Sequence, residues 1–300
     1  MTVPALLSAP LASPVAASYA RLAKVFSGLR IEETAPGERL PRGAGWFGAA
    51  ELAAGGERLD AFLAWDDAQV LRDYGQRGRP DVVATFGLHR YGWPACLLVT
   101  VPWFLHRRVP RLPAGAVAFH RVQGRLAVRI EEFACLPGDP AAALPGARVV
   151  DGEEALRAEV RASLAEHFEA LLEGFGPRMR RGRRALWGMV TDEIVESLWY
   201  VGALLGEEER AVAELELLMP GSAGRAGRPA GPPERRPEKP YAGGAGFRPL
   251  PGAEAADGTA RPTRDRAACC LFYTLRPEDT CLTCPRTCDG ERVRRLTATA

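Results

Sequence analysis

Apolar residues recur at spacings of three and four along much of this chain, which is the period of an amphipathic α-helix. This period predicts helices over residues 18–28, 61–74, 185–205 and 207–219. It also predicts a longer helix that begins at Asp151 and ends at Gly174, Gly176 and Pro177. Asp151 and Glu154 have the spacing of a capping box at its start. The consecutive helices between residues 151 and 219 predict a helical subdomain with short connections.

Residues 82–107 are apolar on nearly every side, so this segment is predicted to be buried rather than to lie on the surface. Pro94 and Pro102 each remove a backbone donor, and we expect them to bend or divide the segment. Its aromatic residues Tyr91, Trp93 and Trp103 either line a ligand cavity or fill the core. We favour the core, because large aromatic side chains dominate the packing of protein interiors.

The hydrophobic period shortens to two over residues 116–133, where apolar side chains alternate on either side of Gln123–Gly124. A two-residue, glycine-containing loop between alternating runs predicts a β-hairpin. An isolated hairpin is only marginally stable, so another strand or a helix must cover it. Residues 30–50 and 136–150 are interrupted by glycine and proline and are predicted to be connections. The expected fold class is α+β, mostly helical with a small antiparallel β-sheet and a cysteine-rich C-terminal segment.

Composition divides the chain into four parts. We expect an N-terminal helical region with the β-hairpin over 1–150, the helical subdomain over 151–219, a linker or long loop over 220–266, and the cysteine-rich segment over 267–300. Glycine and proline make up more than a third of residues 220–266, a level typical of disorder. We expect partial order there, with Tyr241 and Phe247 as anchors. The basic tail after Cys288 is expected to fray.

The charge balance and the apolar runs exclude some partners. A net charge of +2 with no arginine-rich stripe between aromatic residues argues against nucleic acid. The apolar run 93–105 is too short to cross a bilayer, so no stable membrane insertion is expected. Residues 1–20 lack the basic start and unbroken apolar core of a signal peptide, and we interpret them as a mature N-terminus. Cysteines clustered at one end fit a reducing cytoplasm better than a disulfide framework.

Five of the seven cysteines lie between Cys269 and Cys288. Four thiolates together select zinc or an iron–sulfur cluster over hard cations. The adjacent pair Cys269–Cys270 can reach one metal centre only if the backbone turns sharply there. A two-iron cluster tolerates this spacing better than a single tetrahedral zinc, because it offers one anchoring point to each cysteine pair. Zinc, disulfides and free thiols remain the alternatives.

The other cysteines are expected to be inert. Cys281, Cys284 and Cys288 also form a ligand-like run, so Cys288 is either a spare ligand or, as we expect, an idle thiol. Cys96 and Cys135 have apolar neighbours and are predicted to be small core residues.

At the C-terminal end, the pattern Cys-Cys-x10-Cys-x2-Cys resembles the 2Fe-2S motif of FhuF-type ferric-siderophore reductases. The flanking Leu271–Phe272–Tyr273 and Pro285 agree with that family, and Arg184–Gly188 resembles its Leu-Trp-Gly helix signature. Met189 departs from it, because related sequences often have Asn there. The resemblance implies that a 2Fe-2S cluster is bound by four cysteines: Cys269, Cys270, Cys281 and Cys284.

The resemblance also implies a function, namely one-electron reduction of siderophore-bound iron(III) in the cytoplasm with release of iron(II). The implied partners are a ferric siderophore, of the hydroxamate type, and an external electron donor such as a ferredoxin or a reductase. Tyr273, Thr283 and the backbone after Cys284 are the nearest candidates for hydrogen bonds to sulfur. Two alternatives are a redox-inert siderophore- or protein-binding module with a structural zinc, and an electron carrier for another acceptor.

The rest of the chain offers weaker signals. Aromatic residues near Trp93–Trp103 and at Trp187, Trp199 and Tyr200 are candidates for the siderophore pocket. A basic cluster either forms a solvated loop, which we favour, or docks an acidic donor or an anionic ferric chelate; its members are Arg178, Arg180, Arg181, Arg183 and Arg184. Four histidines have no metal-ligand spacing and are expected to be surface or hydrogen-bonded residues: His89, His106, His120 and His167. Glycine-rich loops for nucleotides are absent from the sequence.

Overall fold

The computed structural model describes residues 13–43, 45–221, 239–254, 258–278 and 280–298. Most of the predicted N-terminal stretch and residues 222–238 of the predicted linker lie outside these ranges. The α-helices are α1 (Ala16–Val25), α2 (Ala49–Ala54), α3 (Gly56–Tyr74), α4 (Pro80–His106), α5 (Gly152–Met179), α6 (Arg183–Leu204), α7 (Glu208–Leu218) and α8 (Asp289–Ala298). The predicted α+β fold class, mostly helical, is confirmed.

The strands form three small sheets. They are β1 (Arg30–Thr34), β2 (Trp46–Gly48), β3 (Arg108–Pro110), β4 (Val117–His120), β5 (Arg125–Arg129), β6 (Phe133–Cys135), β7 (Ala147–Val149), β8 (Phe247–Glu254) and β9 (Ala260–Arg264). The sheet orders are β1-β5-β4-β2, β3-β6-β7 and β8-β9. The last of these is an antiparallel hairpin that leads into the cysteine-rich segment.

Helix α4 lies at the centre of the molecule. It is apolar on nearly every side because other helices surround it. Helices α1, α3, α5 and α6 all contact it. Tyr91 and Trp103 are fully buried in it, which confirms the core interpretation for these two residues. The helix is not divided at its prolines. Pro102 cannot donate to the carbonyl of Leu98, and the hydroxyl of Tyr19 on α1 donates to that carbonyl instead, at 2.8 Å.

The predicted β-hairpin is confirmed as β4 and β5, which pair with His120 opposite Arg125. Four residues connect the two strands, so the loop is longer than the sequence pattern suggested. The prediction that residues 30–50 are only a connection is wrong, because β1 and β2 lie there and cover the two edges of the hairpin. Their partners are far away in sequence, and local propensity carries no signal for such pairing.

Helix α5 differs from its prediction at both ends. The side chain of Asp151 makes no capping hydrogen bond, so the predicted capping box is wrong. The helix also continues through Gly174 and Pro177 to Met179. Gly174 serves close packing here, since a Cβ atom would lie 2.3 Å from the carbonyl oxygen of Leu52 on α2. The predicted connection 136–150 likewise contains the short strand β7.

The two C-terminal expectations have opposite outcomes. Tyr241 and Phe247 anchor the end of the predicted linker as expected: the hydroxyl of Tyr241 donates to the carbonyl of Arg161 at 2.6 Å, and Phe247 packs edge-on against Trp199. The tail after Cys288 was expected to fray, and that prediction is wrong, because it forms α8. Among the helices of the described residues, none is both long enough and apolar enough to cross a membrane.

Candidate cluster-binding site

The cysteine segment, residues 267–288, is held against α3 and α4 by an aromatic contact. Phe272 packs edge-on against Tyr74 of α3 and at a tilt against Phe86 of α4, with ring centroids 5.7 and 6.2 Å apart. The side chain of Gln76 donates to the carbonyl of Leu275 at 2.7 Å. The residues that separate the two cysteine pairs are therefore packed on the helical core.

A stripe on α6 holds the beginning and the end of the cysteine segment. We call Gly188, Asp192 and Glu196 the α6 docking stripe; their spacing of four residues places them on one face of the helix. A Cβ atom on Gly188 would lie 3.3 Å from both the carbonyl oxygen of Ala267 and the Cβ atom of Ala268, so glycine permits this close approach. The Leu-Trp-Gly signature thus has a structural role next to the first cysteine pair.

The carboxylates of the docking stripe bind both halves of the segment. Asp192 is fully buried and accepts hydrogen bonds of 2.9 Å from the backbone N–H groups of Ala267 and Ala268. Glu196 accepts a hydrogen bond of 2.9 Å from the hydroxyl of Thr283, which lies between Cys281 and Cys284. One helix face therefore fixes the position of both cysteine pairs.

Two buried arginines complete this frame. Arg264 bonds to Asp192 and Glu196, each at 2.7 Å, and its Nε donates to the carbonyl of Ala245. Arg292 of α8 is also fully buried. It donates to the carbonyls of Arg264 and Cys284, at 3.1 and 3.2 Å. Helix α8 thus ties the second cysteine pair to strand β9.

The backbone turns sharply beside the adjacent cysteine pair, as the sequence required. Leu271 has a φ angle of +64°, in the left-handed region, directly after Cys270. The thiol of Cys281 donates a hydrogen bond to Cys270, so the structure brings one cysteine of each pair together. This hydrogen bond lowers the pKa of Cys270 to about 7 and raises that of Cys281.

Backbone donors reach the two remaining cysteines. The N–H of Leu271 donates to the sulfur of Cys269 at 3.4 Å, and the N–H of Arg286 donates to the sulfur of Cys284 at 3.5 Å. The second contact is the predicted one from the backbone after Cys284. Tyr273 and Thr283 were the other candidates for hydrogen bonds to sulfur. The candidacy of Thr283 is wrong, because its hydroxyl donates elsewhere, and that of Tyr273 stays a prediction. The hydroxyl of Tyr273 accepts from Arg286, and that of Thr283 donates to Glu196.

The cysteine sulfurs fit a soft metal group that is attached to the protein at two points. Its thiols come in two pairs, which meet at Cys270 and Cys281, and backbone N–H groups are aimed at sulfur in each pair. In the described ranges, no group of three or more His, Cys, Asp or Glu side chains converges as it would on one metal ion. Cys288 is exposed, whereas Cys96 and Cys135 are buried as predicted.

A cavity of about 370 Å³ opens beside the two meeting thiols, and we call it the thiol cavity. Cys270 and Cys281 line it, together with the aromatic residues Tyr74, Phe86 and Phe272. His89, Arg90 and Arg266 form its polar wall. This wall could not be predicted from the sequence, because α4 and residue 266 meet only through tertiary packing.

The other predicted binding residues lie elsewhere. Trp93, Trp199 and Tyr200 do not line the thiol cavity, and Trp187 is buried against Tyr241. In the basic cluster, Arg178 pairs with Asp60 and Arg183 with Glu169, and these four side chains are well exposed. None of the cluster lines the thiol cavity either.

The histidines have the hydrogen-bonded roles expected of them. Tyr91 and the carbonyl of Leu112 contact His167, Ser18 contacts His106, and Glu193 contacts His89. His120 is buried and contacts the N–H of Gln123 through its Nδ1. His89 differs from the others because it lies beside the cysteines.

Paired thiols with backbone donors to sulfur suit a soft metal group, and comparison with known families indicates which one. The family model described as the FhuF 2Fe-2S C-terminal domain matches residues 266–286, which include both cysteine pairs. The resemblance to FhuF-type proteins is therefore confirmed for this segment, and the cofactor is a 2Fe-2S cluster. The match does not assign individual ligands, so the four-cysteine set stays a prediction. Neither a curated protein nor a solved structure matches the chain.

Proposed function

We propose that this protein is a cytoplasmic ferric-siderophore reductase, with Cys269, Cys270, Cys281 and Cys284 as the ligands of its 2Fe-2S cluster. The observation that carries the proposal is the FhuF-type 2Fe-2S match over residues that line an open cavity. A bound 2Fe-2S cluster supplies one electron at a time and is refilled by an external donor, such as a ferredoxin or a reductase. The substrate is siderophore-bound iron(III), and the product is iron(II).

Electron transfer alone is sufficient for release of the metal. Hard oxygen donors such as hydroxamates hold iron(III) much more tightly than iron(II), so reduction loosens the chelate. The protein's residues then have two tasks: to hold the cysteine segment in place and to let the chelate approach. The α6 docking stripe, Arg264 and Arg292 perform the first task through buried ion pairs and hydrogen bonds. No nucleophile or general acid is required for this chemistry.

The test starts with the protein purified without oxygen. We expect a brown protein with about two irons and two sulfides per chain and, after dithionite reduction, an S = 1/2 EPR signal. Mixing the reduced protein with a ferric trihydroxamate should restore the oxidised visible spectrum and yield one iron(II), trapped by ferrozine, per electron lost.

Two other outcomes identify the alternatives. Reoxidation by other acceptors, but by no ferric chelate, would contradict the reductase proposal and indicate an electron carrier. A colourless protein that holds one zinc even after cluster reconstitution would leave a binding module with a structural zinc.

A further inference from the structure

The thiol cavity joins sulfur atoms, hydrogen-bond donors and an aromatic wall in one opening. It is lined by one cysteine of each pair, so a molecule bound there lies next to the point where the pairs meet. Electron transfer weakens steeply with distance, and contact with this point is what an iron-bearing substrate needs. Three larger cavities, of about 680, 720 and 410 Å³, are lined by no cysteine.

The charges of this cavity are arranged in two layers. The side chains of Arg90 and His89 are 23% and 40% exposed, whereas their partners Asp66 and Glu193 are 0% and 2% exposed. Arg266 likewise lies near two buried carboxylates, with Asp192 at 3.5 Å and Glu193 at 3.9 Å. His89 and Arg90 therefore present N–H groups to the cavity, with Asp66 and Glu193 behind them, whereas Arg266 is only 8% exposed and lines the cavity more deeply. The exposed carboxylate of Asp73 lies 3.9 Å from Arg90 but does not line the cavity. Donors oriented in this way suit a ligand rich in oxygen acceptors.

His89 offers a donor to the cavity. Its Nδ1 contacts both carboxylate oxygens of Glu193, at 2.7 and 2.8 Å, and this contact leaves Nε2 for a ligand. Burial alone would lower the pKa of His89, but the charge of Glu193 and its hydrogen bond outweigh burial, and the pKa is raised. The imidazole thus keeps a proton on both nitrogens over a wider pH range than an isolated histidine.

We propose that the thiol cavity is the chelate-binding site, and that His89, Arg90 and Arg266 select oxygen-donor ferric chelates that are neutral or anionic over cationic ones. This inference rests on the proposed function, because it assigns the substrate of that reaction to a place. The aromatic wall packs against the apolar arms of the chelate.

The test measures binding without electron transfer. Gallium(III) replaces iron(III) in a linear trihydroxamate whose free end is an ammonium, an acetylated amine or a succinylated amine, so that only the pendant charge changes. Titration of the oxidised cluster-loaded protein, followed by calorimetry, should give the tightest binding for the succinylated form and the weakest for the ammonium form. Equal affinity for the three forms would overturn the proposal without any mutation.

Substitutions then test whether His89 causes this charge preference. His89→Gln keeps a donor to Glu193 but removes the charge, and it should weaken binding of the succinylated complex by about tenfold, the size of one charge-assisted hydrogen bond. His89→Arg should restore most of that loss. His106→Gln, on the same helix but bonded to Ser18, is the matched control and should bind like the wild type.

The outcomes separate the two proposals. A wild-type protein that no ferric chelate reoxidises contradicts the proposed function. A wild-type protein that is reoxidised, but whose chelate affinity is insensitive to His89→Gln, contradicts the cavity assignment. Arg261 and Thr283 line the 720 Å³ cavity, and a larger loss in Arg261→Gln would move the chelate to that cavity and also overturn the assignment.

Discussion

The environments of individual cysteines differ within the segment, although their spacing in sequence suggests one set. Cys284 is buried, its sulfur accepts from the N–H of Arg286, and its carbonyl accepts from Arg292. Cys288 is exposed, and only its backbone has a defined role, since its carbonyl accepts the N–H groups of Glu291 and Arg292 at the start of α8. The side chain of Cys288 is therefore free to change without loss of the site's frame.

This contrast gives a first prediction, for the substitutions Cys284→Ser and Cys288→Ser. A serine hydroxyl is a much poorer ligand for a soft iron–sulfur site than a thiolate. We expect Cys284→Ser to lose nearly all of its iron and its visible absorption, as should serine at Cys269, Cys270 or Cys281. Cys288→Ser is the matched control and should keep about two irons per chain. Loss of the cluster in Cys288→Ser would make Cys288 a ligand and contradict the four-cysteine set.

At the scale of secondary-structure elements, α8 supports the site although it carries none of the predicted ligands. Its Arg292 is fully buried and donates to the carbonyl of Cys284, whereas Arg294, two residues further on, is 74% exposed. The side of α8 that carries Arg292 thus holds the second cysteine pair against strand β9, and the side that carries Arg294 faces solvent.

We therefore expect Arg292→Ala to loosen the second cysteine pair. It would leave the carbonyls of Arg264 and Cys284 without this donor in a buried place, and unsatisfied buried groups cost about 1–3 kcal/mol each. The cluster should be lost to a chelator or to air on the order of tenfold faster than in the wild type. The measurement is the decay of visible absorption, with Arg294→Ala as the control on the same helix. Equal decay in the two variants would show that α8 does not support the site.

The sequence predicted elements better than it predicted how they meet. Periodicity located α3, α4, α6 and the β4–β5 hairpin, because each depends on a local pattern of apolar residues. It missed β1, β2 and α8, which are held by partners far away in the chain, such as the carbonyl of Arg264 for Arg292 of α8. The cysteines themselves were visible, since metal-ligand spacing is a local property.

The polar frame of the site was missed for a physical reason. Gly188 of the helix signature, Asp192 and Glu196 follow one another at a spacing of four residues. The two carboxylates therefore lie on one face of a helix that is otherwise largely apolar. That spacing is a usable signal for a docking face. Their partners Arg264 and Thr283 could not be identified in advance, because a charge in a glycine-rich segment gives no sign that it will be buried.

At the scale of the whole molecule, the cysteine segment is bonded to elements from every part of the chain. It contacts α3 and α4 through Phe272, α6 through the docking stripe, and β9 and α8 through Arg292. A single hydrophobic core includes residues from Val15 to Ala268, immediately before the first cysteine pair. Folding of the segment and folding of the core are therefore expected to be coupled.

The last prediction tests this coupling through Asp192→Asn. The asparagine NH2 group that replaces one carboxylate oxygen cannot accept a hydrogen bond, so the N–H of Ala268 loses its acceptor when the remaining oxygen keeps Arg264 and Ala267. The substitution also leaves the buried Arg264 and Arg266 with one carboxylate fewer. Removing one partner of a buried ion pair costs about 3–5 kcal/mol, so chemical denaturation should show a loss of this size in the free energy of unfolding. Glu216→Gln, an exposed carboxylate on α7, is the control and should change it by less than about 0.5 kcal/mol.

The cluster-free protein makes this test decisive. Ligand binding to the folded state adds stability, so removal of the cluster should lower the unfolding temperature of the wild type. The cost of Asp192→Asn should persist in the cluster-free form, because the bonds of Asp192 to Arg264, Ala267 and Ala268 involve no cysteine side chain. A variant that is as stable as the wild type without the cluster, and that differs only when it is loaded, would show that the core and the cysteine segment fold independently.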